Sequence, residues 1–236
     1  MKSILFNTDM VQAILEGRKT VTRRVAFPNE DLRKFPRPDN PDAWWFRGRA
    51  YTNWDSAMRS PQGVLSLCKY KKGDILYVRE TWKPMYPDET SNIVCGYMYK
   101  ADDCGLRGEE YKKWYDAHYP NGNGWYCPGI WRPSVHMPKE AARLFLRVTA
   151  VRVERLQDIT EDGARSEGCY HEPLLDGCDD FMVPALYSFQ SVWDSTVRKT
   201  NRDTYGWDAN PWVWVIEFER ISKEAAMDAQ KGGAEG

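Results

Sequence analysis

The stretch ILFNTDMVQAILEGRKTVTRRV, residues 4–25, decides how the rest of the chain is read. Ile4 to Phe6 is a short apolar run of strand type. Asn7 or Thr8 offers a side-chain oxygen to cap a helix, and Val11, Ile14 and Leu15 then share one helical face. Gly17 stands where a glycine closes a helix, because it takes a left-handed backbone without steric cost. From Thr20 to Val25 the residues are β-branched and alternate in polarity, which predicts a strand. Arg18, Lys19, Thr22, Arg23 and Arg24 therefore collect at a helix-to-strand junction, a rigid place for a site.

Further strands follow the same logic. KKGDILYVRETW (71–82) predicts a turn at Gly73 and a strand from Ile75 to Arg79, and LFLRVTAVRVERL (144–156) one long bent strand. Thr160 is expected to cap a short helix through Glu167, closed by Gly168. Leu186, Phe189, Trp193 and Val197 are spaced as a helical core face. After a turn at Asn210-Pro211, WVWVIEFERI (212–221) is the last and most apolar strand. Strands with helices between them, but no regular alternation, point to an α+β barrel and away from a Rossmann-type sheet.

Two stretches break the pattern. Residues 26–63 carry Pro28, Pro36, Pro38, Pro41 and Pro61 without a sustained period, so a long loop or flap is expected, with Trp44 and Trp45 pinning it. Residues 83–142 read as a second insert, with a turn at PNGNG (120–124) and a short helix in EEYKKWYDAHY (109–119). The expected organisation is a single domain over 1–222 with these two inserts. The low-complexity tail, 223–236, is expected to be disordered.

The 236 residues have the composition of a globular protein, with eleven Trp available as core anchors or stacking platforms. The net charge of -1 conceals an asymmetry. Residues 1–80 hold 15 Lys/Arg against 9 Asp/Glu, and residues 81–236 hold 18 against 25. A basic N-terminal third suits a localised anionic partner, and a mixed, solvated surface is the plainer account of the same counts. No run approaches the ~18 apolar residues of a membrane span, and the N-terminus lacks a signal-peptide core, so a cytoplasmic protein with no membrane association is expected. The six cysteines show no CxxC spacing and are expected to be reduced thiols. Zinc held by Cys95, Cys104 and Cys127 would lack paired spacing, and His118, His136 and His171 are too scattered for a triad. No metal or cofactor is expected.

Residues 17–24, GRKTVTRR, form the densest constellation. Arginines offer planar bidentate contacts to phosphate, and lysine a mobile point charge. An anion cradle and a sheet edge charged against aggregation fit these residue types equally well. Weaker candidates are Arg79 and Glu80, which end a strand as an anion contact and a second acid or as an internal ion pair. Ser134 and His136 lie between prolines, and His136 could serve as a general acid. Trp82, Trp125 and Trp131 could stack on a base or anchor the core.

ILEGRKTVTRR (14–24) resembles the signature of the ASCH domain family, with Gly17, Lys19, Thr22 and Arg24 matching in order and spacing. KKGDILYVRETW, LQDITEDGARSEG (156–168) and WVWVIEFER (212–220) resemble the family's following strand, short helix and last strand. With RETW and RPSVHMP the chain looks like the longer ASCH proteins of phages and prophages. The resemblance covers about half the chain, and residues 26–63, 83–142 and 169–205 have no counterpart in compact members. It implies a PUA-like mixed β-barrel related to RNA-binding modules. One compact branch removes the acetyl group from N4-acetylcytidine with a Lys-Thr-Glu triad. Lys19 and Thr22 match its first two members, and Glu167 matches the third by similarity along TEDGARSEG.

What this implies is a hydrolase on RNA or a modified nucleoside. Lys19 would be the base, Thr22 the nucleophile and Glu167 the group that orients Lys19 or relays a proton. Arg18, Arg23, Arg24, Arg79, Glu80, Ser134 and His136 would serve as substrate-binding residues. Thr is a weak nucleophile that needs such a base, and burial is what lowers a lysine toward neutrality. An RNA-binding module, a ribonuclease, or a phage accessory protein contacting an unknown host protein are the alternatives.

Overall fold

The computed structural model describes residues 1–60, 62–87, 90–102, 113, 117, 129–169, 172–173 and 182–232. The opening stretch forms strand β1 (Lys2–Leu5) and helix α1 (Thr8–Leu15). Asn7 caps the helix by accepting the Met10 N–H at 2.9 Å, and Gly17 takes φ +75° beyond its end. The later strands are β2 (Val21–Phe27), β3 (Leu32–Lys34), β4 (Trp44–Phe46), β5 (Arg49–Tyr51), β6 (Ile75–Arg79), β7 (Trp82–Met85) and β8 (Gly96–Tyr99). After them come β9 (Phe145–Arg155), β10 (Glu172–Pro173), β11 (Met182–Val183) and β12 (Trp212–Ile221). The remaining helices are α2 (Trp54–Arg59), α3 (Glu161–Ser166), α4 (Ala185–Thr196), α5 (Arg202–Tyr205) and α6 (Lys223–Gly232). None of the described helices is long and apolar enough to cross a membrane.

The chain divides into two compact units. The first comprises Met1–Glu16, Ile75–Leu146 and Arg220–Gly236, and the second Gly17–Asp74 and Arg147–Glu219. The main sheet has the order β1-β6-β9-β12-β2, in which β9 and β12 each pass from one unit into the other. A barrel needs its first and last strands to pair. Here β1 pairs in parallel with β6, β2 pairs antiparallel with β12, and no closed barrel forms among the described residues. The protein is a mixed α+β structure of several sheets and short helices, where the sequence leads one to expect a barrel.

In the first unit, Ile75, Trp82, Met137, Ala141, Ala142, Phe145 and Ala226 form the core, and β7 and β8 pair antiparallel. Helix α6 corrects the expectation of a disordered tail: Ser222 Oγ accepts the Ala225 N–H at 3.1 Å, and Ala226 is fully buried. Composition alone hides this, because a cap and one apolar anchor suffice to dock a polar helix. The expected turn at 120–124 and most of the expected helix at 109–119 lie outside the described residues.

The second unit has a core of Leu156, Ile159, Ala164, Phe189, Trp193, Val213 and Val215. Residues 26–63 are not the unstructured flap expected. They fold into the antiparallel meander β3-β4-β5 and helix α2, which Asn53 and Ser56 cap reciprocally. Strands of three residues are too short to show a period. Trp44 pins this insert to the body, its ring 6.4 Å from that of Trp212, whereas its 4.6 Å contact with Trp54 and the 5.5 Å contact of Trp45 with Phe35 lie within the insert.

Candidate functional site

The junction after Gly17 is held against the end of α3 within the second unit. Thr20 N–H donates to Ser166 O at 2.9 Å, Arg18 Nη1 donates to Gly168 O at 3.0 Å, and Lys19 and Glu167 form an isolated antiparallel bridge. Helix α3 presents Glu167 because local signals fix both its ends. Thr160 Oγ1 accepts the Gly163 N–H at 3.1 Å, Glu167 is the C-cap, and Gly168 turns the chain away at φ +91°.

A buried charge network results. Lys19 Nζ donates to Glu167 Oε2 at 2.5 Å and to the Glu167 carbonyl at 2.8 Å. Arg23 Nη1 donates to Glu167 Oε1 at 3.2 Å, while its Nε and Nη2 reach Glu154 Oε1 at 3.0 and 2.6 Å. Glu154 Oε2 also accepts from Arg152 Nε at 3.1 Å, and Arg152 pairs in turn with Glu217. The Lys19 side chain is 0% exposed and that of Glu167 5%, so this pairing takes place away from water.

Burial pushes the Lys19 amine below its ordinary value, and the Glu167 carboxylate opposes that shift. The Arg24 guanidinium is also held low by burial, with Glu167 and Tyr70 opposing. Thr22 lies on β2 opposite Ile216 and is 1% exposed; its hydroxyl takes part in none of the bonds just described.

Gly163, an unfavourable residue inside a helix, has a local reason. A Cβ there would stand 3.1 Å from Ile159 Cγ1 and 3.3 Å from Arg23 Nη2. The glycine leaves room for the guanidinium that bridges Glu154 and Glu167.

Beside this network lies a cleft of about 310 Å³, lined among others by Arg23, Arg24, Trp193, Arg198, Asn201 and Tyr205. Sequence reasoning missed Glu154, Arg198, Asn201 and Tyr205. Only Glu154 carried a signal, as an acid on a strand rich in arginine; the others are isolated polar residues after a core helix.

The other expected binding residues belong to the first unit. Arg79 donates through Nε to Met137 O at 2.9 Å and through Nη2 to Val135 O, so its guanidinium braces the loop that follows Pro133. Glu80 is buried and is gripped by Arg143 at 2.9 Å through both oxygens; Arg143 also reaches Asp102 at 2.7 Å and stacks 4.0 Å from the Tyr99 ring. Of the two readings open for Glu80, the ion pair is the one observed. Burial raises the Glu80 carboxyl above its ordinary value, and Arg143 opposes that rise. Ser134 and His136 bound a 3-10 turn on which His136 is exposed.

Trp82 is buried, with Arg132 over its ring at 5.3 Å. Trp131 lies under Lys83 and Lys100, at 4.6 and 5.3 Å. Trp125, His118, His171, Cys104, Cys127 and Cys178 lie outside the described residues. Among the described residues, no group of three or more His, Cys, Asp or Glu is placed to hold a metal. Compared with known protein families, curated proteins and solved structures, the chain matches none.

Proposed function

We propose that the chain is an ASCH-type protein, related to the PUA-like fold, that hydrolyses the amide of an N4-acylated cytidine-type nucleoside with Lys19, Thr22 and Glu167. The observation that carries this reading is the Lys19–Glu167 pair: a buried amine held at 2.5 Å by a carboxylate, with its proton affinity lowered by burial, three residues before a buried hydroxyl. In its neutral form Lys19 takes the proton from Thr22 Oγ1 as that oxygen bonds to the acyl carbon. The C–N bond then breaks, and the Lys19 ammonium returns the proton to the leaving exocyclic nitrogen, giving the free amine. Water attacks the acyl-threonine, Lys19 again removes a proton, and the carboxylic acid and the Thr22 hydroxyl are released. Glu167 keeps Lys19 aimed and stabilises its charged form between the two steps.

The test is incubation of the purified protein with N4-acetylcytidine and measurement of acetate. Lys19→Ala and Thr22→Ala should each lower turnover by about 100-fold or more, the usual scale for a lost base or nucleophile. Full activity in either variant overturns the scheme. One observation favours a second reading, an RNA-binding module without chemistry: Thr22 is 1% exposed, whereas Arg198 and Asn201 lie open to solvent. Strand binding would weaken with salt at a log-log slope of about -0.7 per phosphate neutralised, and nucleoside hydrolysis would hardly respond.

A further inference from the structure

Thr22 and Arg23 point to opposite faces of β2, as neighbours on a strand must. The Arg23 face belongs to α4. Arg23 lies 5.8 Å from the Phe189 ring, and Val213 and Val215, opposite Val25 and Arg23 on β12, pack with Phe189 and Trp193. Thr22 and Arg24 therefore share the other face, opposite Ile216 and Trp214. On β9, Glu154 holds Arg23 and so belongs to the α4 face. Alternation then puts Val151 and Val153 on the face of Thr22.

A cavity of about 360 Å³ lies on that face, between α2 and β9, with Met58, Leu65, Tyr70, Lys71, Lys72 and Val151 among its walls. A smaller one of about 230 Å³ shares Met58, Leu65 and Val151 and extends the space past Trp54 and Val153. All these residues belong to the second unit, as do Lys19, Thr22 and Glu167. The wall is preformed. The 3-10 turn Val64–Leu67 follows α2 so closely that a Cβ on Gly63 would stand 2.5 Å from the Ala57 carbonyl oxygen. Lys71 Nζ closes that turn by donating to the carbonyls of Leu65 and Ser66. Tyr70 joins the cavity to the site. It is half-buried, Lys69 Nζ lies 5.3 Å over its ring, and its phenol and the Arg24 guanidinium lie in each other's field. A mostly apolar wall with a few polar groups, enclosing about 300 Å³ or more, is the usual form of a small-molecule site.

We infer that this cavity is the substrate chamber: the acylated base lies among Met58, Leu65 and Val151, with Tyr70 as its specificity-determining aromatic wall, and reaches Thr22 from the α2 side of the sheet. The inference rests on the nucleoside reading for the ligand and on the two faces of the sheet for its place. Calorimetric binding of N4-acetylcytidine and release of acetate are measured on the same variants. Leu65→Trp and Val151→Phe fill the cavity from opposite walls, so a folding defect in one, seen in its thermal midpoint, leaves the other. Each is expected to weaken binding at least about 10-fold, the scale of forced overpacking. Val25→Trp changes an exposed residue on the α4 face and should leave binding within about 2-fold. Tyr70→Ala should weaken binding at least about 5-fold and Tyr70→Phe should restore it, since the ring is what the base lies against.

Undiminished binding in both filled variants, a loss in Val25→Trp instead, wild-type affinity in Tyr70→Ala, or no binding by the wild type overturns the inference. Binding that the filled variants lose, with no acetate released by the wild type, keeps the chamber and removes the hydrolase. Acetate release that both filled variants retain keeps the hydrolase and removes the chamber.

Discussion

Lys19 and Glu167, 148 residues apart in the chain, are bound to each other twice, because the lysine amine reaches both the carboxylate and the main-chain carbonyl of the same glutamate. The side-chain contact depends on charge, and the carbonyl contact on where α3 stops. Substitution can separate the two.

Glu167→Ala leaves Lys19 without its counter-charge and Arg23 with Glu154 alone. Removing one partner of a buried pair typically costs about 3–5 kcal/mol. A loss of that size in urea unfolding is expected for Glu167→Ala, with at least half of it recovered in Lys19→Met/Glu167→Ala, where no amine is stranded. A cost below about 1 kcal/mol for the single variant would show that water reaches the pair.

The lowered Lys19 amine fixes a sign for pH. Its folded value lies below the ordinary 10.5, so between the two values the unfolded chain binds more protons and stability rises with pH. Below the folded value the cost of the buried charge is present in full. Unfolding midpoints measured from about pH 7 to 10 should therefore climb in the wild type more than in Lys19→Met. Hydrolysis should rise over the same limb, as the amine loses its proton. A flat profile in both measurements would place Lys19 outside the titration.

Glu80 has the opposite sign. Burial raises its folded value above the ordinary 4.5, so the stability linked to it is complete below 4.5 and declines as pH rises through the folded value. Glu80→Gln keeps the shape of the side chain and leaves Arg143 its bonds to Asp102, and it should remove that decline. An unchanged pH slope in Glu80→Gln would show that the decline comes from another group and overturn the assignment to Glu80.

Gly163→Ala inverts a general rule. In an open helix the change would stabilise by about 1 kcal/mol. Here the new methyl meets Ile159 at 3.1 Å and Arg23 Nη2 at 3.3 Å, and Glu154 holds that nitrogen at 2.6 Å, so it cannot retreat. A net loss of about 1–3 kcal/mol is expected, the scale of an overpacked core. A higher thermal midpoint for Gly163→Ala would sink the idea that Arg23 is immobile.

The ends of α3 were legible because Thr160 and Gly168 act on their own neighbours, and α1, β6, β9 and β12 because their periods run long enough to read. The ring of partners was not. Nothing local in the sequence joins Arg23 to Glu154 across 131 positions, and Glu167 came into view only through resemblance. Residues 26–63 hid three strands because each has three residues, and the C-terminal helix hid because Ala226 is one small apolar side chain in a polar segment. Arg198 gave no signal at all: its setting comes from tertiary placement beside β2.

The division of the chain into interleaved segments bears on how the protein is made. Residues as late as Glu219 belong to the second unit, and the first unit draws on segments at both ends of the chain. A ribosome releasing the chain in order completes neither unit before Glu219 has emerged, because each unit needs segments from both sides of the other's. Folding one domain at a time during synthesis is therefore closed to this protein. Newly made chains must keep the apolar β6 and β9 out of trouble until β12 arrives.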